Sequence, residues 1–194
     1  MLTTTNTELL QGLRDPANEP VWREFDSRYR PLLLAFARRL GLGDADAADA
    51  AQETLAQFVE DYRAGRYDPA RGRLRSWIFG IAQRRVADMK RLKARRREQR
   101  GDSAFQGVPA EDELQGVWDD EWRKALLRQG LTELRAGTKM DPKTIRAFEL
   151  VAFGQRRPAE AAAELGMTVN DVYVARSRVL DRLQRILVEL EEIW

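Results

Sequence analysis

Apolar residues recur along this chain at steps of three and four, and nowhere at steps of two, so the pattern predicts helices and no strands. Leu9, Leu10 and Leu13 mark a short opening helix that stops before Asp15-Pro16, because a residue preceding proline resists the helical region. Val21, Trp22, Phe25, Tyr29, Leu32, Leu33, Phe36 and Leu40 form the stripe of a long amphipathic helix ending near Gly41 and Gly43, with Pro31 expected to kink or break it. A second long helix, from about Asp46 to Tyr62, should bury Ala48, Ala51, Leu55, Phe58 and Val59 and leave an acidic face outward. After the turn-rich AGRYDPARGR comes GRLRSWIFGIAQRRVADMKRLKARRR, apolar and aromatic at its start and basic at its end. Trp77, Ile78, Ile81, Ala82, Met89 and Leu92 make its apolar stripe.

Residues 101–116 hold three glycines and a proline with few large apolar side chains, the composition of a flexible linker. The second domain begins near Trp118 and offers helices at about Asp119 to Leu134, Lys143 to Phe153, Pro158 to Leu165 and Val169 to Glu191. Asp141 and Thr168 are capping residues, Pro142 and Pro158 suit first turns, and Gly166 suits a C-terminal cap. The expected architecture is all-α: a domain at 1–98, a linker at 99–117 and a domain at 118–194.

Composition narrows the chemistry. With no Cys and no His, thiolate and imidazole catalysis and the usual zinc sites are excluded, and no cofactor motif, phosphate loop or metal cluster is present; an enzyme is not expected. No run of eighteen apolar residues or signal peptide occurs, which predicts a cytoplasmic protein without membrane insertion. Net charge is only +2, but it is segregated: residues 84–100 carry nine Lys or Arg against two acids, and residues 44–61 carry six acids and no base. Local fields therefore select the partners. The basic run could be a solvated helix end. Nine cations in one segment instead point to nucleic acid, since even about four or five phosphate contacts give strong, salt-sensitive binding. Trp77 and Phe79 could stack on unpaired bases, although a large aromatic at helical spacing is more often core, and the loop from Arg66 to Arg73 could line a pocket for an extruded base. For the acidic face, charge alone favours plain solvent exposure over a docking site for a basic partner.

RRPAEAAAELGMTVNDVYVARSRVLDRL has the layout of a helix-turn-helix, with small Ala161 and Ala162 for close packing. At about 100° per residue, Val172, Ala175, Val179, Leu183, Ile186 and Leu190 fall on a core side. Asn170, Asp171, Tyr173, Val174, Ser177 and Arg178 point away, where a major groove could be read. Arg176 lies at the edge of the apolar stripe. The alternative is a helical hairpin packed on another subunit.

In order, these parts resemble a sigma factor of the extracytoplasmic-function (ECF) group of the sigma-70 family. DADAADAAQETLAQFV is similar to its region 2.2, GRLRSWIFGIAQRRVADMKRLKARR to regions 2.3 and 2.4, and ELGMTVNDVYVARSRVLDRL to region 4.2. VNDVYVARSRVL and LLQGLRDPANEPVWREF look most like the sigma factors abundant in planctomycetes. The resemblance implies a region 2-like bundle and a region 4-like helix-turn-helix domain, and binding to core RNA polymerase and promoter DNA without catalysis. It implies docking of Asp46, Asp49, Gln52 and Glu53 on the β′ coiled coil, which reverses the preference from charge alone. Arg73, Arg75, Trp77, Arg84, Arg85, Lys90 and Arg91 would serve the minus-10 element, and Thr168, Asn170, Asp171, Tyr173, Val174, Ser177 and Arg178 the minus-35 element. Control by an anti-sigma factor is expected, and phosphorylation at a site such as Thr54 is conceivable. The rival function is a stand-alone helix-turn-helix regulator binding duplex DNA.

Overall fold

The computed structural model describes residues 6–68, 73–98, 110–137 and 140–193. All of the regular structure in these residues is helical: α1 (Asn6–Gly12), α2 (Glu19–Arg39), α3 (Asp44–Arg63), α4 (Leu74–Glu98), α5 (Glu111–Gly137), α6 (Pro142–Ala152), α7 (Pro158–Leu165) and α8 (Val169–Ile193). No helix among the described residues is long and apolar enough to cross a membrane. Contacts divide the chain into two compact units, one ending at Ala125 and the other running from Leu126 to Ile193.

In the first unit α2, α3 and α4 pack together, and α1 lies against α2. The core of α2 is Phe25, Tyr29, Leu32, Leu33 and Phe36, as its spacing predicts. Phe25 stacks on Phe58 of α3 at 5.4 Å and meets Tyr29, tilted, at 5.1 Å. Pro31 does not break the helix, which continues to Arg39. A proline costs an interior helix about 3 kcal/mol, and the buried residues on both sides of Pro31 hold the helix to the core against that cost. Leu9, Leu10 and Leu13 bury α1, and Gly12 is required there because a Cβ would come within 2.7 Å of Val21. Two cation–aromatic contacts fix the same corner, Arg63 over Trp22 at 5.1 Å and Arg14 over Tyr62 at 5.6 Å.

Four expectations are corrected within this unit. Ala48 is exposed, and Ala47 and Ala50 take the buried positions beside Ala51, Leu55, Phe58 and Val59. Leu92 is 49% exposed rather than core. Lys93, its neighbour, already pairs with Asp46 in the first turn of α3, so beyond this point α4 has outrun the helix it packs on. Phe79 is buried between Phe36, at 6.0 Å, and Trp118, at 5.5 Å, and is not available for stacking on a base. Thr54 is buried with its hydroxyl donating to the Ala50 carbonyl at 2.6 Å, which removes it as a kinase target in the folded chain.

The expected linker is shorter than its composition suggests. Residues 99–109 lie outside the described residues, but 111–117 are helical. Glu111, Asp112 and Glu113 supply the acidic first turn that the helix dipole favours, and Leu114 is buried. From Leu114 through Trp118, Glu121, Trp122 and Ala125, this half of α5 presents a buried face. Trp118 is 0% exposed and meets Phe36 edge-on at 5.3 Å. Arg39 ends α2 with hydrogen bonds to Glu121, at 3.0 Å, and Asp120, at 3.2 Å.

The second unit has α6 and α7 against α8, around Ala147, Leu150, Ala161, Ala162, Val172 and Ala175. Farther along, Val179, Leu183, Ile186 and Leu190 are buried, completing the predicted core side of α8. Gly130 of α5 allows close approach, since a Cβ there would stand 3.0 Å from Leu183 and from Leu187. Arg135 of α5 pairs with Glu149 of α6 at 2.6 Å.

Candidate nucleic-acid interface

The acidic face belongs to α3, whose first turn carries Asp44 and Asp46 beside the positive end of the helix dipole. Asp46, Asp49 and Glu53 stand at i, i+3 and i+7, so one face presents all three, with Gln52 adjacent. The structure does not leave them equivalent. Asp46 is ion-paired with Lys93 of α4, and Glu53 lies 3.7 Å from Arg85 of α4. Arg85 also donates to the Gln57 side-chain carbonyl at 2.9 Å. Asp49 and Gln52 are exposed and make no ion pair or side-chain hydrogen bond among the described residues. The half of the face nearest α4 is thus partly neutralised, and of these three carboxylates Asp49 is the one without an ion pair among the described residues.

The cations expected at the minus-10 element divide into three groups. Arg73 and Arg84 are exposed and unpaired among the described residues, and Lys90 is half-buried without an ion pair. Arg85 and Arg91 are engaged by acids, Arg91 with Asp88 one turn earlier at 2.9 Å. Arg75 is held most firmly: its guanidinium lies over the Trp122 ring at 4.6 Å and is ion-paired with Asp119. Trp77 is half-buried, edge-on to Tyr67 at 5.8 Å, and its indole N–H meets no acceptor among the described residues. Burial, with Tyr62 and Asp68 nearby, pushes the Tyr67 phenol up, so it stays neutral. A cleft of about 280 Å³ opens between α3 and α4, lined by Gln57, Asp61, Arg66, Ile81, Arg84 and Arg85. Arg66 pairs there with Asp61 at 2.7 Å. The sequence signalled Arg66 through its loop but gave no sign of Asp61, which reads as one more acid on a polar helix. Residues 69–72 of that loop lie outside the described residues.

In the second unit Gly166 turns the chain at φ 63°, and the Met167 N–H donates to the Ala162 carbonyl at 2.9 Å. Thr168 and Asp171 then cap α8 reciprocally. The Thr168 backbone N–H and hydroxyl both donate to the Asp171 carboxylate, at 3.0 and 2.7 Å, and the Asp171 N–H donates to the Thr168 hydroxyl at 3.1 Å. The Thr168 side-chain and backbone bonds hold the Asp171 carboxyl below its usual range. These two polar side chains therefore serve the helix start. Asn170, Tyr173, Val174, Ser177 and Arg178 are exposed on the outer face of α8, with Tyr173 54% exposed. Arg176 is exposed as well. Arg156 and Arg157 stand exposed immediately before α7, a pair that the sequence displays as RRP but whose place beside a helix start comes from the fold.

Residues 25–97 match the family profile of sigma-70 region 2. Over 178 residues the chain is 26% identical to the ECF RNA polymerase sigma factor RpoE of Cereibacter sphaeroides, an alignment that covers 91% of this chain and 92% of that protein. The bundle of α2, α3 and α4 thus carries a sigma-70 region 2 domain, and a helix-turn-helix unit follows it in the chain. Together the region 2 match and the ECF relative support an alternative sigma factor of the sigma-70 type directing transcription initiation. Core RNA polymerase and promoter DNA are the partners of that family, whose members are not themselves enzymes.

Proposed function

We propose that the acidic face of α3 docks on the β′ coiled coil of core RNA polymerase, that α4 and the loop before it recognise and open the minus-10 element, and that α8 reads the minus-35 element. The observation that carries this division is the separation of charge within one small unit. Asp49, exposed and without an ion pair among the described residues, sits with Gln52 on one helix, while Arg73 and Arg84, likewise unpaired among the described residues, flank the start and middle of the next. A repressor binding duplex DNA alone has no need of such an acidic face. Docking there suits a basic partner, because opposite potentials steer association and fix its register. On this reading Arg84, Arg73 and Lys90 contact phosphates, and Tyr173, Val174, Asn170, Ser177 and Arg178 meet bases in the major groove. The functional divisions are the unit ending at Ala125, which docks and opens the promoter, and the unit from Leu126, which reads the minus-35 element; the protein works in the cytoplasm, an anti-sigma factor is its regulator, and planctomycete sigma factors are its subgroup.

The test is transcription in vitro with purified core polymerase, mapping start sites across genomic templates, alongside co-elution of the chain with core. Start sites that share two spaced elements, and a co-eluting complex lost in D49K, are the expected results. Tight binding of the chain alone to a palindromic duplex, with no transcription, would replace this reading with the stand-alone regulator.

A further inference from the structure

Arg85 and Lys93 connect the two faces. Both project from the basic helix α4, yet each is paired with a carboxylate on the acidic face of α3, Arg85 with Glu53 and Lys93 with Asp46. The two pairs lie two turns apart along each helix. Their side chains are only partly covered, at 35% and 53% exposure for the Arg85 pair and 40% and 36% for the Lys93 pair. Pairs this open are worth about 0.2–1 kcal/mol, enough to bias two flexible cations but too little to lock them. Glu60 lies on the same α3 face, two turns beyond Glu53, is exposed, and has no ion pair among the described residues.

We propose that Arg85 and Lys93 are phosphate-binding residues held in check by the docking face, so that a basic partner taking Asp46 and Glu53 releases them to promoter DNA. The inference rests on the reading of α3 as the polymerase-docking face. A cation cannot neutralise a phosphate fully while a carboxylate within 4 Å already satisfies it. When a basic surface displaces it, the freed side chain needs only rotate about its own stem. Linkage makes the effect reciprocal: DNA that draws Arg85 and Lys93 away exposes Asp46 and Glu53 and strengthens docking by the same factor. Lys93, which the sequence offers only as one cation in a run, thereby acquires a specific part.

The experiment uses the full chain and measures anisotropy of a labelled mixed-sequence single-stranded 20-mer across a salt series, without polymerase. D46N and E53Q should each tighten binding about 1.5- to fivefold beyond E60Q, which removes the same charge from the same face without freeing a cation. In the double variant two more released counterions should steepen the salt dependence by about 1.4 on the log–log slope. In a K93M background the D46N gain should vanish. Shifts no larger than that of E60Q, or a D46N gain that survives K93M, would overturn the proposal. Core co-elution of D49N separates it from the docking reading: loss of the complex in D49N supports docking whatever the DNA result, and an intact complex removes docking while the DNA data still decide whether the two pairs restrain Arg85 and Lys93.

Discussion

Replacing Trp118 by alanine separates the division of the chain that its sequence suggests from the one its contacts make. By composition Trp118 opens the second domain. In the structure it is fully buried against Phe36 of α2 and Phe79 of α4. Truncating a buried Trp to Ala costs about 3–5 kcal/mol in lost transfer energy and cavity. Two edge or tilted ring contacts are part of what is lost, each worth about 0.5–1.5 kcal/mol beyond area. Some of this is returned, because the Trp118 indole N–H has no acceptor among the described residues and an unsatisfied buried donor costs about 1 kcal/mol or more. The net loss is about 2–4 kcal/mol, which corresponds to a roughly 30- to 900-fold fall in the slowest amide protection factors. Hydrogen exchange on the full chain should place that fall in α2, α3 and α4 and spare α6, α7 and α8. Trp118→Phe, which keeps a ring and removes the orphaned donor, should lose much less. A fall confined to α6–α8 would refute the assignment of the first half of α5 to the amino-terminal unit.

Three other outcomes follow from the same geometry. Gly166→Ala should cost about 1–2 kcal/mol, all of it from the left-handed backbone since no atom lies within 4 Å of the added Cβ, and urea unfolding of the helix-turn-helix unit will measure it. Glu121 is desolvated, which raises its carboxyl, but hydrogen bonds from Lys124 and Arg39 with their charges outweigh this and hold it below the ordinary 4.5. A depressed carboxyl contributes stability above its unfolded value and loses it as pH falls through the folded one. Wild type should therefore lose stability below about pH 4.5 more steeply than Glu121→Gln in an acid titration followed by circular dichroism. Arg84→Gln should reduce the salt slope of single-stranded DNA binding by about 0.7 with thermal stability unchanged, whereas Arg75→Gln should lower the melting temperature, because Arg75 is packed on Trp122 and paired with Asp119. Equal melting temperatures for the two variants would show that the Arg75 contacts contribute nothing to the fold.

Periodicity made the helices legible because apolar spacing in an amphipathic helix is a local property. The α8 core from Val172 to Leu190 came directly from a helical wheel, and its outward residues came with it. One-residue errors, as at Ala48, arise where alanine is frequent on both sides of a helix and carries no signal of its own. Residues 111–117 are helical where their composition predicts a linker, for the opposite reason. Those residues look poor in core side chains, and among them only Leu114 is buried, while the ring that anchors this half of α5, Trp118, meets Phe36 and Phe79 from distant parts of the chain.

By itself the sequence determined the all-helical fold, the caps at Asp141, Thr168 and Gly166, the segregation of charge, and the order of parts by which the family is known. These depend on neighbours within a turn or two, or on composition alone. Only the tertiary structure decided which charges are available. Among the described residues Asp49 is unpaired while Asp46 and Glu53 are paired, Arg84 has no ion pair while Arg75 is stacked and bridged, and Phe79 is core while Tyr173 is exposed. The physical reason is that a side chain's charge is written in its residue type, but whether that charge is already neutralised depends on what another helix brings within 4 Å, and no spacing along the chain encodes that.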